Sequence, residues 1–438
     1  MKFKKTFTVF LTVLIMTLSL SGCSKSSTTN NSQTQTEKKQ VKITVMNSKG
    51  EIQTQLEKMA KAFMNDNKDI TVEVIPAPAG QSPFEKVSSL YSSGNAPTLS
   101  MLDPGDIVKF KDKAADLSSE KWINDSFDRS LDSAKVDGKV IGFPFAVEGY
   151  GFIYNKELLD KAYGGNFDAS AVKTQKDLEE MFKKLEASGV GSIIVSPMDW
   201  SLGGHFLPLS YSTQSKSSDD VNKFIEDLKA GKVELAQNKQ FKGLMATLDI
   251  MKKHNISKSS PLSGTYENGP EALATKKAAV WFMGNWAWPQ IHELDAENNS
   301  YAFLPVPISN DAADYGNSEI PVGVTKYFIL DKEQNSQEQQ AAAKKFLEWI
   351  VYNQTGQDYL VNKANVIPAF KNITIESQDP LAKSIKKYMS KGKTLQFMVT
   401  LPSDHWSKNG ASMQKFLDNK IDVNGLAKEI QEYWKNIK

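Results

Sequence analysis

The chain has 438 residues, 40% hydrophobic and 24% charged, with 26 Gly and 17 Pro, a profile that excludes disorder and fibres and leaves room for two or three folded units. Its 53 basic and 51 acidic residues give a net charge of +2, too weak a field to draw the whole protein onto nucleic acid or an anionic membrane. Arg129 is the only arginine, and because nucleic-acid recognition leans on the planar, bidentate guanidinium, no nucleic-acid partner is expected.

At the N-terminus, Lys2, Lys4 and Lys5 precede an apolar run from Phe7 to Leu20 and then small residues. These are the three parts of a secretory signal, too short for a comfortable transmembrane span. The run ends in Leu20-Ser21-Gly22-Cys23, which resembles the bacterial lipobox, where the thiol takes a diacylglyceryl group and the peptide is cut just before it. That resemblance implies a signal peptide over 1–22 and a lipidated Cys23, the only cysteine of the chain. Losing residues 1–22, with three lysines and no acid, takes the net charge to −1. Ser24 to Gln40 holds 17 residues without one apolar side chain, so burial cannot offset the entropy of ordering them, and residues 23–40 are expected to form a flexible tether. Stretched at ~3.5 Å per residue, the tether reaches roughly 60 Å. A single cysteine also forbids an intrachain disulfide, and His205, His254, His292 and His405 lack ligand spacing, so no zinc site is expected; no D-x-[DN]-x-[DN]-G calcium loop is present, though irregular oxygen sites leave no such signature.

From Val41 strands alternate with helices. Val41 to Met46 alternates apolar and polar residues, then Ile52, Leu56, Met59, Ala60 and Phe63 fall on one helical stripe. Ile70 to Ile75 is strand-like, Phe84, Val87, Leu90 and Tyr91 make a second stripe, and Thr98 to Leu102 follows as a short buried strand. This βαβαβ order predicts a parallel sheet with helices on its faces, an α/β fold. Lys135 to Phe143 reads as a hairpin turning at Asp137-Gly138, and Gly151 to Tyr154 as a strand leading into a helix near Asn155. Thr174 with Asp177 forms a capping-box pattern. Further strands are expected at Ile193–Val195, Ala278–Phe282, Ala302–Val306 and Val324–Leu330, and helices at Ala341–Tyr352, Gly356–Asn362, Pro380–Met389 and Leu426–Trp434.

The segment Gly138–Leu159 (GKVIGFPFAVEGYGFIYNKELL) resembles the lobe-crossing segment of maltose-binding-protein-like solute receptors of bacterial ABC sugar importers. The resemblance continues in order at Gly94–Asp103 (GNAPTLSMLD), Lys277–Trp288 (KAAVWFMGNWAW), Ala343–Ile350 (AKKFLEWI) and Leu401–Trp406 (LPSDHW). It implies a two-lobed periplasmic-binding-protein-like fold, with 41–146 and 322–365 as one lobe and 147–321 and 366–438 as the other. It further implies a monomer without cofactor that closes on an oligosaccharide and hands it to the transmembrane permease subunits of an importer.

A sugar ring offers C–H faces that pack on aromatic planes and hydroxyls that need charged or amide partners, so the cleft should combine the two. By resemblance Trp286 is the first stacking platform, directly after a strand, with Asn285 beside it. Trp406 matches a second platform. Trp288 reads equally as platform or core, and Trp281 as core. Glu148, in the crossing segment, matches a hydroxyl acceptor. One of Asp103 and Asp106 is expected to face the cleft, helix capping being the other reading for each. The Trp and Arg of the maltose receptor's loop here have no counterpart, which argues against maltodextrin specificity. Asn47, Lys49 and Glu51 match a contact loop, while Trp200, His205 and Tyr150 divide between cleft and packing roles. The competing class is a tethered glycoside hydrolase or lyase; it requires two suitably spaced carboxylates, and the chain carries no hydrolase motif.

Overall fold

The computed structural model describes residues 40–77, 82–127 and 130–437; the export signal, Cys23, the tether through Lys39 and Arg129 lie outside the described residues. The chain from Gln40 onward forms one compact unit, and among the described residues no helix is long and apolar enough to cross a membrane. β1 (Val41–Asn47) leads to a helix, Gln53–Asp66, whose Leu56, Met59, Ala60 and Phe63 are buried. That is the predicted stripe laid on a sheet face. β2 (Ile70–Pro76), a helix at Pro83–Ser92 opened by proline in its first turn, and β3 (Leu99–Leu102) complete the unit. β1 pairs in parallel with both β2 and β3, as the βαβαβ pattern requires.

β4 (Lys135–Val136) and β5 (Lys139–Val140) are an antiparallel hairpin. Its turn places Asp137 at φ 50° and Gly138 at φ 77°, the left-handed conformation a two-residue turn demands. β6 (Phe143–Asn155) then runs 13 residues, all buried. Only its last third was legible as strand, because a segment buried on both sides has no polar-apolar alternation to read. Gly151 is required within it, since a Cβ there would lie 2.6 Å from the Leu304 carbonyl oxygen.

β7 (Gly191–Ile194), β8 (Ala278–Gly284) and β9 (Tyr301–Leu304) surround the second half of β6. β8 and β9 pair with it antiparallel and β7 runs parallel to β8. The first half of β6 pairs with β10 (Ile320–Leu330), which in turn pairs with β3. β11 (Thr394–Gln396) adds to the start of β10. β6 and β10 therefore each run through both halves of a two-lobed mixed α/β fold, and the boundaries expected at 146–147 and 321–322 lie on them. Ile367 bridges to β6 at the same place, its carbonyl accepting from the Val147 amide at 2.9 Å.

The capping box at Thr174 and Asp177 is formed and opens the helix Gln175–Ala187. Among the elements that escaped sequence reading are β11, which is three residues long, and the helices Ser218–Lys229, Lys239–His254 and His405–Leu417. The last of these helices docks by glycine contact, for a Cβ on Gly203 would lie 2.4 Å from the Gly410 amide and 2.3 Å from the Trp406 carbonyl oxygen.

One buried acid outside the cleft has a measurable consequence. Asp379 caps the helix Pro380–Ser390, accepting from the Leu381 amide at 2.7 Å, but it is fully buried and its Oδ2 has no partner. Burial pushes its pKa up to about 7. A carboxyl whose folded pKa exceeds its unfolded value of ~3.9 costs stability as pH rises through that interval, up to roughly 4 kcal/mol above it. Asp379→Asn is expected to abolish this loss, so that its advantage over the wild type in urea denaturation grows between about pH 4 and pH 7. A gap independent of pH would contradict the assignment.

Candidate functional site

A cavity of about 530 Å³ lies between the lobes. Ser48, Lys49 and Glu51 enter it just beyond β1, Asp103 and Pro104 just beyond β3, and Trp286 just beyond β8. Open α/β sheets characteristically bind ligands at these carboxyl ends of strands. Glu148 on β6 and Thr325 and Lys326 on β10 come from the crossing strands, while Trp200, His205, Phe397 and Val399 form the wall of the second lobe.

The polar half is an ion network. Asn47 is buried and shapes the turn: its Oδ1 accepts from the Lys49 amide at 2.9 Å and its Nδ2 donates to the Lys49 carbonyl at 2.8 Å. The turn aims the Lys49 ammonium at Glu51, 2.7 Å away, and into a hydrogen bond with Glu148. Burial opposes the charge on Lys49, yet Glu148 and Glu51 outweigh it and hold its pKa above the ordinary lysine value. Burial likewise works to raise Glu51, and the charge of Lys49 overrides it and drives the carboxyl down. Lys326 pairs with Asp103 across the same space. The cavity thus presents three carboxylates to two ammonium groups, a lining suited to hydroxyls and unfavourable to anions.

The other half is aromatic and centred on His205. Its ring lies 5.0 Å from that of Trp286, 5.7 Å from Trp200 and 5.9 Å from Phe397, with Tyr150 behind it at 5.1 Å. His205 Nδ1 donates to the Trp200 carbonyl at 3.0 Å, which leaves the lone pair on Nε2. Burial lowers its pKa and keeps the ring neutral. Trp286 is half-buried where the two hydrophobic cores meet. Its indole lies directly over Gly284, where a Cβ would come within 2.0 Å of the ring.

The remaining sequence candidates lie elsewhere. Tyr150 is buried and packs edge-on against His205 and Phe397, so it backs the wall. Asn285 is buried and accepts from the Gly149 amide at 3.0 Å, tying the Trp286 turn to β6. Of the two aspartates Asp103 faces the cavity, while Asp106 is buried and paired with Lys109 at 2.7 Å. Trp288 is core, stacked on His292 at 5.1 Å and edged by Tyr301. Trp281 is also core, its Nε1 donating to Ser196. Trp406 is 43% exposed on the far helix, its Cβ beside Gly204, outside the cavity lining. Sequence reading missed Ser48, Thr325, Lys326, Phe397 and Val399. An apolar residue such as Phe397 in a short run carries no mark of facing a cleft, and the bulge in β10 that brings Thr325 to the cavity arises from pairing with β6, which nothing local announces.

Among the described residues no group of three or more His, Cys, Asp or Glu is placed to hold a metal ion. The model of the bacterial extracellular solute-binding protein family matches residues 58–389. Among solved structures, RafE in complex with raffinose superposes with a TM-score of 0.74 at 18% identity, over 90% of this chain and 99% of that one. The apo form of RafE from Streptococcus pneumoniae gives 0.72 at 17%, over 91% and 98%. Maltose-bound MalE3 of T. maritima gives 0.65 at 19%, over 90% and 99%. At these identities the likeness concerns the fold.

Proposed function

The chain belongs to the bacterial extracellular solute-binding protein family, and from that premise we propose that it captures an oligosaccharide between its lobes and delivers it to the permease of an ABC importer. The observation that carries this reading is the pairing, in one interlobe cavity, of an aromatic wall with an ion network. Trp286 stacks on a sugar face, with Trp200 and His205 beside it. Glu148, Glu51 and Asp103 accept from ring hydroxyls and Lys49 and Lys326 donate to them. That relatives of this fold were solved with raffinose or maltose bound supports the same ligand class.

Closure follows from two-state physics. Lobes 41–146 with 322–365 and 147–321 with 366–438 turn about β6 and β10, and a ligand touching both favours the closed population by the contacts made only there. Export and acylation of Cys23, with residues 24–40 as tether, hold the protein at the outer face of the cytoplasmic membrane. Binding without hydrolysis is supported by the carboxylates themselves. A glycosidase needs one acid with a raised pKa, whereas Glu51 is driven down and Glu148 is tied to the same ammonium.

The test is incubation with raffinose, maltotriose, xylotriose and chitotriose, followed by melting and chromatography. At least one saccharide is expected to raise the melting temperature and to be recovered intact. Released product would overturn the reading in favour of the hydrolase.

A further inference from the structure

β6 and β10 do not pair evenly where they cross. Val324 stands opposite Val147 and Lys326 opposite Ala146, so Thr325 is an extra residue on β10; Tyr327 then stands opposite Pro144, leaving Phe145 as the compensating extra residue on β6. Bulges of this kind re-aim side chains beside functional sites. Here the bulge brings two successive β10 residues, Thr325 and Lys326, to the cavity, where a regular strand would offer one. Lys326 is satisfied by Asp103. Thr325 is only 7% exposed, and its Oγ1 is buried without any hydrogen-bond partner. Ser48, bordering the same cavity from the end of β1, has an Oγ in the same condition.

A buried hydroxyl without a partner is costly, and most find one. The carbohydrate reading supplies what is missing, because a ring hydroxyl both donates and accepts. We propose that Thr325 is a specificity-determining contact: its hydroxyl, idle in the unliganded protein, bonds a ring hydroxyl of the saccharide held over the crossing strands, with Ser48 doing the same from the first lobe. Rotation about χ1 exchanges the methyl and hydroxyl of a threonine at the cavity wall, and an oxygen that holds no bond gives up none by turning. The ligand class is thereby narrowed to saccharides that present a free hydroxyl at the hinge floor. Because Thr325 sits on a strand that runs through both lobes, the contact would be made at the point about which they turn.

This inference rests on the saccharide reading, and calorimetric titration of the full chain with raffinose, maltotriose, xylotriose and chitotriose separates the two. Thr325→Val keeps the shape and removes the hydroxyl. It is expected to bind the tightest of the four about tenfold more weakly while the unliganded protein melts no lower than wild type, since an unpaired hydroxyl has been deleted. Thr325→Ser retains the hydroxyl and is expected to bind within about twofold of wild type. Unchanged affinity in Thr325→Val, or a lowered melting temperature without ligand, would overturn the contact and leave the saccharide reading standing. If wild type binds none of the four, the saccharide reading fails and the contact falls with it.

Discussion

Trp286→Ala is expected to weaken saccharide binding by about two orders of magnitude, ~2–3 kcal/mol, while the melting temperature of the unliganded protein moves little. The indole is half-buried at the junction of the two cores and faces the cavity, so its removal strips a stacking plane without hollowing either core. Gly284→Ala provides an independent route to the same outcome. The glycine has φ −106° and ψ 174°, which any residue adopts, so the new methyl introduces no backbone strain. It would instead meet the indole at 2.0 Å and force the ring off its seat. Titration calorimetry on both variants should therefore show weakened binding, one without the ring and one with the ring misplaced. Full affinity in Gly284→Ala would mean that the position of Trp286 does not matter and that stacking is wrongly assigned.

Lys49→Met is expected to be the most destabilising single change in the cleft, about 3–5 kcal/mol in urea denaturation, because it leaves two carboxylates facing each other with no cation between them. Glu148 is 8% exposed and the side chain of Glu51 22%, so water cannot replace the ammonium fully. The pH dependence has a definite sign. Glu51 in the wild type is held below its ordinary pKa, so its contribution is present above the unfolded value of ~4.3 and is lost as pH falls through the folded one. In Lys49→Met the carboxylates repel each other and bind protons more readily when folded. The deficit of the variant should therefore be largest near neutrality and shrink towards pH 4. A deficit below about 1 kcal/mol at pH 7 would show that the network is solvated and without structural weight.

The sequence carried the βαβαβ core well because its helices bury one stripe, β1 and β2 alternate in sequence and β3 is a short apolar run closed off by Gly94–Pro97, all of which local pattern reports. It carried the crossing strands poorly. β6 is buried along all 13 residues, and β10 is interrupted by a bulge; neither has a regular period. The same division holds for the cleft. Lys49, Glu148, Asp103, Trp200, His205 and Trp286, singled out chiefly by the family resemblance, border one cavity. Trp288 and Trp406 lie outside that lining. Trp288 turns inward with the helix Trp288–Leu294, and Trp406 is set outside the lining by the Gly203–Gly410 helix contact. Phe397 and Thr325 enter the cavity through β11 and the β10 bulge, features produced by tertiary pairing with nothing local to announce them. Asn47 falls between the two groups: it was chosen as a contact, and the structure gives it the shaping of the turn that presents Lys49.

The most direct test is a crystal structure grown with whichever of the four trisaccharides binds most tightly. The sugar is expected between the lobes, one ring on the face of Trp286 and hydroxyls within about 2.7–3.2 Å of Glu148 and Lys49. A saccharide seated on exposed Trp406 with the interlobe cavity unfilled, or anywhere else on the surface, would contradict the account.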